Sequence, residues 1–358
     1  MGLARRLRRW ATAAAVVAGV VLATVTGLVF ATAWRPAPTE PVAPEARAPD
    51  APAVEPDVPV TVVSWNLQFA GSRAHHFFYD GGDAVSVPAA DVAATTAGIA
   101  ETLARLQPDL ALLQEVDRDS ARTGRVDQHP AYAAALGLPV HLSAPYHRSP
   151  FVPKPLGDPL GRVSLHLSAF SRYAVAAATR IQLPLQPANP VVQAFTLKRC
   201  LLHLDLPVRG HALPLAVGVT HLDAFTYGDG TLDRQVDALL AWVAARPPGQ
   251  PWLLAGDFNL LPPGDDRGRL PPKEAALYAD DPNPLSRIWP RFREAFGPDL
   301  LRPEARTYLP FGAGAPDRKI DYLFTGGPVE VLDARVEDAG PRWSDHLPLR
   351  VVLRVLPA

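Results

Sequence analysis

Six short apolar runs in this chain each meet polar residues at one end, and that recurrence constrains the fold more than any single segment. The run 60–65 ends in Asn66, 110–113 in Gln114-Glu115, and 213–219 in Thr220-His221. The run 252–255 passes through Gly256 to Asp257-Phe-Asn259 and stops at Pro262-Pro263. Ile320 precedes Asp321, and Asp345-His346 stands just before the run 349–355. Short β-branched or leucine-rich runs bounded by breakers are strand signals. Positions i and i+2 of a strand point to one side, so Asp257 and Asn259 leave the sheet edge together. If these strands share packed sheets, their polar ends converge on one rim.

Each residue also has an ordinary reading on its own. Asn66 suits a strand-end cap, Glu115 an exposed acid and His221 a surface histidine. Asp257-x-Asn259 suits an Asx turn, and Asp345-His346 a local hydrogen-bonded pair. Asp321 is harder to place, because an acid within Ile-Asp-Tyr needs a partner. Joint occurrence carries the argument.

The N-terminus follows other rules. Residues 11–33 hold no charge; as a helix, these 23 residues rise ~34 Å, enough to cross a hydrocarbon core of ~30 Å. Arg5, Arg6, Arg8 and Arg9 make residues 1–10 a basic, cytoplasmic N-terminus, with the remainder outside the cytoplasm. Ala31-Thr32-Ala33 also matches a signal-peptide cleavage pattern, so 11–33 is a transmembrane anchor or a signal peptide, its length favouring the anchor. The Pro/Ala/Glu-rich linker 34–59 reads as an extended tether and not as a fold element. The folded domain is expected over 60–358.

Within it, helices are expected over 91–106, 232–245 and 285–296, and further strands near 163–170, 174–183, 193–206 and 329–336. A polar surface loop is expected over 118–128 and a long Pro/Gly-rich connection over 145–161. Many strands with occasional helices imply a layered α/β or α+β domain. The single cysteine, Cys200, excludes an intrachain disulfide and any multi-thiolate metal site. A hard cation such as Mg²⁺ or Mn²⁺ takes carboxylates and carbonyl-type oxygens, which Glu115 and the aspartates can supply.

Taken together, Ser-Trp-Asn66, Leu-Leu-Gln-Glu115-Val, Thr-His221-Leu, Ala-Gly-Asp257-Phe-Asn259, Lys-Ile-Asp321-Tyr and Ser-Asp345-His346 resemble the endonuclease/exonuclease/phosphatase superfamily, which shares the deoxyribonuclease-I-like fold. The resemblance covers roughly 60–356. It implies a four-layer sandwich of two packed mixed β-sheets flanked by helices, and hydrolysis of a phosphoester with a divalent metal, usually Mg²⁺. Carried over by position, Glu115 is the principal metal ligand, supported by Asn66, with Asp345 at or near the metal. Asp257 orients or deprotonates the attacking water, and Asn259 holds a phosphate oxygen. His346 contacts the phosphate and is held by Asp321. His221 assists the leaving group, a task suited to a pKa near neutrality.

Two departures stand out. The substrate-contacting asparagine of many members is missing from the region 161–173, where His166 or Arg162 is the candidate replacement. The insertion 75–82, rich in histidine and aromatics, either lines a substrate pocket or folds over the sheet edge.

The expected activity is that of a membrane-anchored phosphodiesterase or phosphatase facing outside the cytoplasm, monomeric, acting on a phospholipid or small phosphoester. All 36 acids lie beyond residue 39, whereas four of the 35 Lys and Arg residues precede residue 10, so the exported part is net acidic and lacks an obvious nucleic-acid footprint. An exported nuclease is the alternative, because Arg118, Arg122, Arg125, Arg148, Lys154 and Arg172 can form a local basic groove. The alternative of another class is a catalytically inactive binding domain; the presence of every acid, amide and histidine named above speaks against it.

Overall fold

Val62 and Val63 are neighbours in sequence, yet they are buried in different cores. That alternation, repeated along most strands, makes the layers. The computed structural model describes residues 2–338 and 343–358. The strands are β1 (Thr39–Pro41), β2 (Ala46–Arg47), β3 (Val60–Asn66), β4 (Leu110–Asp117), β5 (Val140–Val152), β6 (Gly161–Ser171), β7 (Ala177–Gln182), β8 (Cys200–Leu206), β9 (Leu215–His221), β10 (Trp252–Asp257), β11 (Arg293–Glu294), β12 (Asp321–Gly326), β13 (Val329–Val336) and β14 (Leu349–Val355). Helices α1 (Gly2–Thr32), α2 (Ala89–Leu106), α3 (His129–Leu136), the one-turn α4 (Pro190–Gln193) and α5 (Thr231–Ala244) accompany them.

Among the described residues the strands form two seven-stranded mixed sheets, ordered β1-β7-β8-β9-β10-β12-β11 and β13-β14-β3-β4-β6-β5-β2. Val62, Leu110 and Leu112 of one sheet meet Leu202, Val217, Leu253 and Leu323 of the other in the central core. Val63, Trp65, Ala111 and Leu113 point the opposite way, against Ile99 and Leu103 of α2 and Tyr132 of α3. Leu254, Tyr322 and Phe324 likewise face Leu232, Val236 and Leu239 of α5. The four-layer sandwich is therefore held by three apolar interfaces, each formed by a side-chain period of two meeting one of 3.6 or another of two.

Several expectations need correction. The linker 34–59 is not only a tether. Thr39 pairs with Ile181 and Ala46 with His141, so the segment adds an edge strand to each sheet and straps one side of the sandwich. Val54 is fully buried in the central core, and its N–H donates to the Pro207 carbonyl. Pro-rich sequence hid this, because edge strands tolerate proline where an inner strand does not. The 145–161 connection is shorter than expected, since β5 continues to Val152 through a bulge at Pro145/His147. Residues 285–296 form a 3₁₀ turn (Pro284–Arg287) and the short β11 instead of a helix. Helix α1 begins ahead of residue 11, so the four arginines lie on its first turns.

Candidate active site

Parallel pairing of β3 with β4, and of β9 with β10, brings four C-terminal strand ends to one rim. Asn66, Glu115, His221 and Asp257 lie there by topology. β12 runs antiparallel to β10 with Asp321 opposite Asp257, so its first residue joins them. Asp345 and His346 precede β14 beside β3 and complete the group.

Local backbone aims several of these side chains. The register of β4 against β6 shifts between Leu113 and Val116, and Glu115 within that bulge has φ of 57°. A non-glycine residue in left-handed conformation inside a strand is costly and marks a site where direction of the side chain matters. Gly256 has φ of 143°, and a Cβ there would lie 1.9 Å from the Thr220 carbonyl oxygen. Only glycine lets β10 approach β9 closely enough to set Asp257 beside His221.

The side chains interlock. Asn66 Nδ2 donates to Asp257 Oδ2 at 3.0 Å and to Glu115 Oε1 at 3.3 Å, while its Oδ1 accepts from the Gln68 N–H at 3.1 Å. His221 Nε2 lies 3.3 Å from Asp257 Oδ2, and its Nδ1 lies 3.3 Å from the Tyr146 hydroxyl. His346 Nδ1 meets Asp321 Oδ2 at 2.8 Å, with Nε2 3.6 Å from Asp257 Oδ2. Asn259 does form the Asx turn, its N–H donating to Asp257 Oδ1 at 2.9 Å, and its Nδ2 donates to the Leu222 carbonyl at 3.0 Å. The ordinary reading and the rim placement hold together there.

Charge is uneven across this cluster. Burial, and the charge of Asp321, push the Asp257 carboxyl up to about 7 against the opposing pull of His346. Burial and the Glu115 carboxylate push Asp345 up to about 7 as well. Burial alone would lower His346, but Asp321 and Asp257 hold it well above the usual histidine range, as an imidazolium. His221 goes the other way: burial, with Arg199 and His346 nearby, takes it well below 6.5. The expected near-neutral pKa for His221 is displaced downward because burial of the ring, with Arg199 and His346 beside it, outweighs the Asp257 carboxyl at 3.3 Å, itself pushed towards its neutral form. His346 holds the proton; His221 is a neutral imidazole able to donate from one nitrogen only.

Glu115 and Asp345, the second of which the Glu115 carboxylate makes harder to ionise, form a donor set that a divalent cation would relieve. Asp257, Asp321 and His346 also place donor atoms within 4.8 Å of one another. A buried Asp321 Oδ1 has no hydrogen-bond partner among the described residues. The residues fit an oxygen-ligated divalent metal. A second group, Glu45, His129 and His141, is equally close-set. There the Arg118 guanidinium already sits on Glu45, so the group reads as a polar clamp between the strap and the sheet.

Sequence reasoning missed several participants. Gln68 Oε1 accepts the Asp345 N–H at 3.1 Å, and Trp65 Nε1 donates to the His346 carbonyl at 2.8 Å. Arg199 is buried near His221, its Nε on Asp223 at 3.2 Å and its Nη1 without a hydrogen-bond partner among the described residues. Gln68 and Trp65 lay within or beside a motif, which was a usable signal; Tyr146 reaches the rim from β5 and Arg199 from just before β8, with none. The proposed replacements for the missing asparagine are not at the rim. His166 bonds Ser143 and Ser164, and Arg162 is held by Asp119 at 2.6 Å. In the insertion, Phe77 is buried against Phe69, His75 bonds Asp91, and His76 stacks on Phe311. Its Tyr79 hydroxyl accepts from Arg122 at 3.4 Å and lies near enough to Glu115 and Asp345 to feel their charge, so the insertion borders the carboxylate cluster, and the preceding Ser72–Ala74 border a cavity of about 570 Å³ beside Asp91, Leu309 and Trp343.

The fold has solved counterparts. An endonuclease/exonuclease/phosphatase from Beutenbergia cavernae superposes with a TM-score of 0.60 at 22% identity, covering 83% of this chain and 72% of that one. A second, from Bacteroides vulgatus, gives 0.53 at 15% identity over 84% and 100% of the two chains. The human Nocturnin catalytic domain with bound sulfate gives 0.52 at 17% over 82% and 93%. No curated protein sequence matches the chain. The sequence model of the Endonuclease/Exonuclease/phosphatase family matches residues 63–346, which span every motif of the rim, and the chain therefore belongs to that family.

Proposed function

We propose that the protein is a divalent-metal-dependent phosphoester hydrolase whose catalytic domain is held by α1 at the outer face of a membrane. The observation that carries the chemistry is the placing of His346 between two carboxyls, Nδ1 at 2.8 Å from Asp321 Oδ2 and Nε2 at 3.6 Å from Asp257 Oδ2, which raises the ring well above the usual histidine range while burial raises Asp257 to about 7. A carboxyl with a pKa near ambient pH is suited to take a proton from water, and a fixed cation is suited to an anionic phosphoryl oxygen. Glu115 and Asp345, with Asn66, would hold a divalent metal, which when bound would supply charge neutralisation at the phosphate. Asp257 takes the proton as the water oxygen bonds to phosphorus. The phosphorus–oxygen bond to the leaving alcohol breaks, and that oxygen takes up the proton that Asp257 removed from water, relayed by the neutral His221, whose Nε2 lies 3.3 Å from Asp257 Oδ2. Asn66 keeps Asp257 oriented throughout.

Charge pairing argues for a small or lipid phosphoester over nucleic acid. Of the six basic residues able to form a local groove, Arg118, Arg122, Arg125 and Arg172 are paired with Glu45 and Asp127, Asp117, Asp119 and Asp109 respectively. Anchoring rests on the exposed apolar stretch of α1, within Arg5–Thr32. The test is hydrolysis of bis(p-nitrophenyl) phosphate by the full chain with Mg²⁺ and with chelator. A metal-independent rate that Asp257→Asn and His346→Gln leave unchanged would sink the reading.

A further inference from the structure

The chain enters the sandwich at its catalytic end. Pro38 accepts from the Gln182 N–H at 2.8 Å, and Gln182 pairs with Cys200 at the start of β8. Leu201 in turn pairs with Thr220, next to His221. Pro38 is thus level with the rim, three strand spacings or ~14 Å from β9. From there the strap descends, reaching the far end where Arg47 pairs with Val140, the first residue of β5. Only residues 33–37 separate α1 from Pro38, a reach of at most about 20 Å. Trp34 lies over the buried Arg180 guanidinium at 5.0 Å, and the end of α1 lies against α4. A bilayer crossed by α1 is therefore at the height of the rim and not at the opposite pole.

The loops at that end are built for such a surface. The β5–β6 hairpin continues beyond the Asp117–Leu165 pair at the end of β4 to the Val152–Gly161 pair, four residues or ~13 Å further. It exposes Phe151 and Leu156, with exposed Arg148 and Lys154 beside them. His147 of the hairpin bonds the Phe195 carbonyl, which ties it to the segment carrying the exposed Val191 and Val192. Gln186 of the same segment donates to the carbonyl of Phe225, which with Tyr227 is exposed just after His221. Apolar tips flanked by cations are the composition of an interfacial contact with anionic lipid.

We infer that the catalytic rim faces the bilayer that holds α1, and that the substrate is the phosphoester of a lipid in that same bilayer, reached while these loops rest in the interface. The inference rests on the hydrolase reading above. It deepens that reading by naming the lipid surface as the site's second partner.

The full chain is reconstituted in vesicles of phosphatidylcholine and phosphatidylglycerol with Mg²⁺. Release of water-soluble phosphate from the lipids is measured beside hydrolysis of soluble bis(p-nitrophenyl) phosphate. Leu156→Asp with Phe151→Asp is expected to cut lipid hydrolysis at least ~10-fold and to leave the soluble rate within about twofold. A rigid helical spacer of about 20 residues inserted after Ala33, lifting the domain by ~30 Å, is expected to do the same. A readout independent of activity uses Leu156→Cys carrying an environment-sensitive dye. Cys200 is buried, with its thiol pushed up to about 11 by burial, so labelling is confined to the tip. A blue shift on reconstitution, quenched by brominated lipid, supports the orientation. Soluble turnover without lipid turnover, spacer-insensitive lipid turnover, or a dye that reports only water overturns it while leaving the hydrolase reading intact. Loss of both activities in the wild type overturns that reading, and the inference with it.

Discussion

His346 Nδ1 and Asp321 Oδ2 are 2.8 Å apart, His346 on the approach to β14 of one sheet and Asp321 at the start of β12 of the other, and with the Asn66–Asp257 bond this contact ties the two halves of the rim together. The Asp321 carboxylate both orients the ring and keeps it charged. Asp321→Asn removes the charge with little change in shape, and a loss of about 10²-fold in phosphodiester kcat is expected. His346→Gln should cost as much, and the double variant little more, because the two act as a unit. Fully additive losses in the double-mutant cycle would show that they act separately.

Glu115 and Asp345 are expected to carry the metal. Chelation should abolish turnover, with Mg²⁺ or Mn²⁺ restoring it. Glu115→Gln and Asp345→Asn should each weaken cation binding by at least ~10-fold in calorimetric titration of the resting protein, a readout that needs no substrate. Unchanged cation affinity in both variants would remove these residues from the metal site.

The strap contributes to stability. Val54 has no exposed surface, so Val54→Asp buries an unpaired carboxylate at a cost of about 3 kcal/mol or more. A chain beginning at Val60 also strips partners from the β7 and β5 edges and should melt well below one beginning at Trp34. Equal melting temperatures would mean that residues 34–59 add nothing to the fold.

Acid sensitivity follows from His147. Burial first, and the Arg122 charge second, lower its pKa to about 3. In the unfolded chain it titrates near 6.5. Below that pH the unfolded state binds a proton that the folded state does not, so stability falls as pH drops from 6.5 towards 3, at ~1.4 kcal/mol for each unit crossed. Asp257 and Asp345, both raised to about 7, work in the opposite sense. The fall in melting temperature between pH 7 and pH 5 should therefore be smaller in His147→Gln than in the wild type. A matching pH slope in the two proteins would argue against a proton-linked role for His147.

Strands with strong internal patterning were legible from sequence, as were the helices α2 and α5. The run 60–65 and the Trp252 run have β-branched or leucine-rich residues and a clean breaker at one end. The helix expected over 285–296 failed because its apolar residues are claimed by the α5 face through Leu285 and Ile288, without a continuous helical turn. Edge strands β1 and β2 could not be read, since two or three residues of pairing leave no periodicity.

By itself, the sequence determined which chemistries were available: carboxylates, amides and histidines at strand ends, one cysteine, and an uncharged N-terminal run. Local spacing suffices for that, because a strand or helix is selected by residues a few positions apart. Tertiary structure decided how those groups act on one another. Asp257 is raised and His221 is lowered because each is enclosed, and His346 is raised because two carboxylates from other strands surround it. Only pairing across β1, β7, β8 and β9 set Pro38, shortly after the N-terminal helix, level with that rim. Proton affinity and the meeting of these groups depend on distances between segments far apart in the chain, and such distances exist only once the sheets have closed on one another.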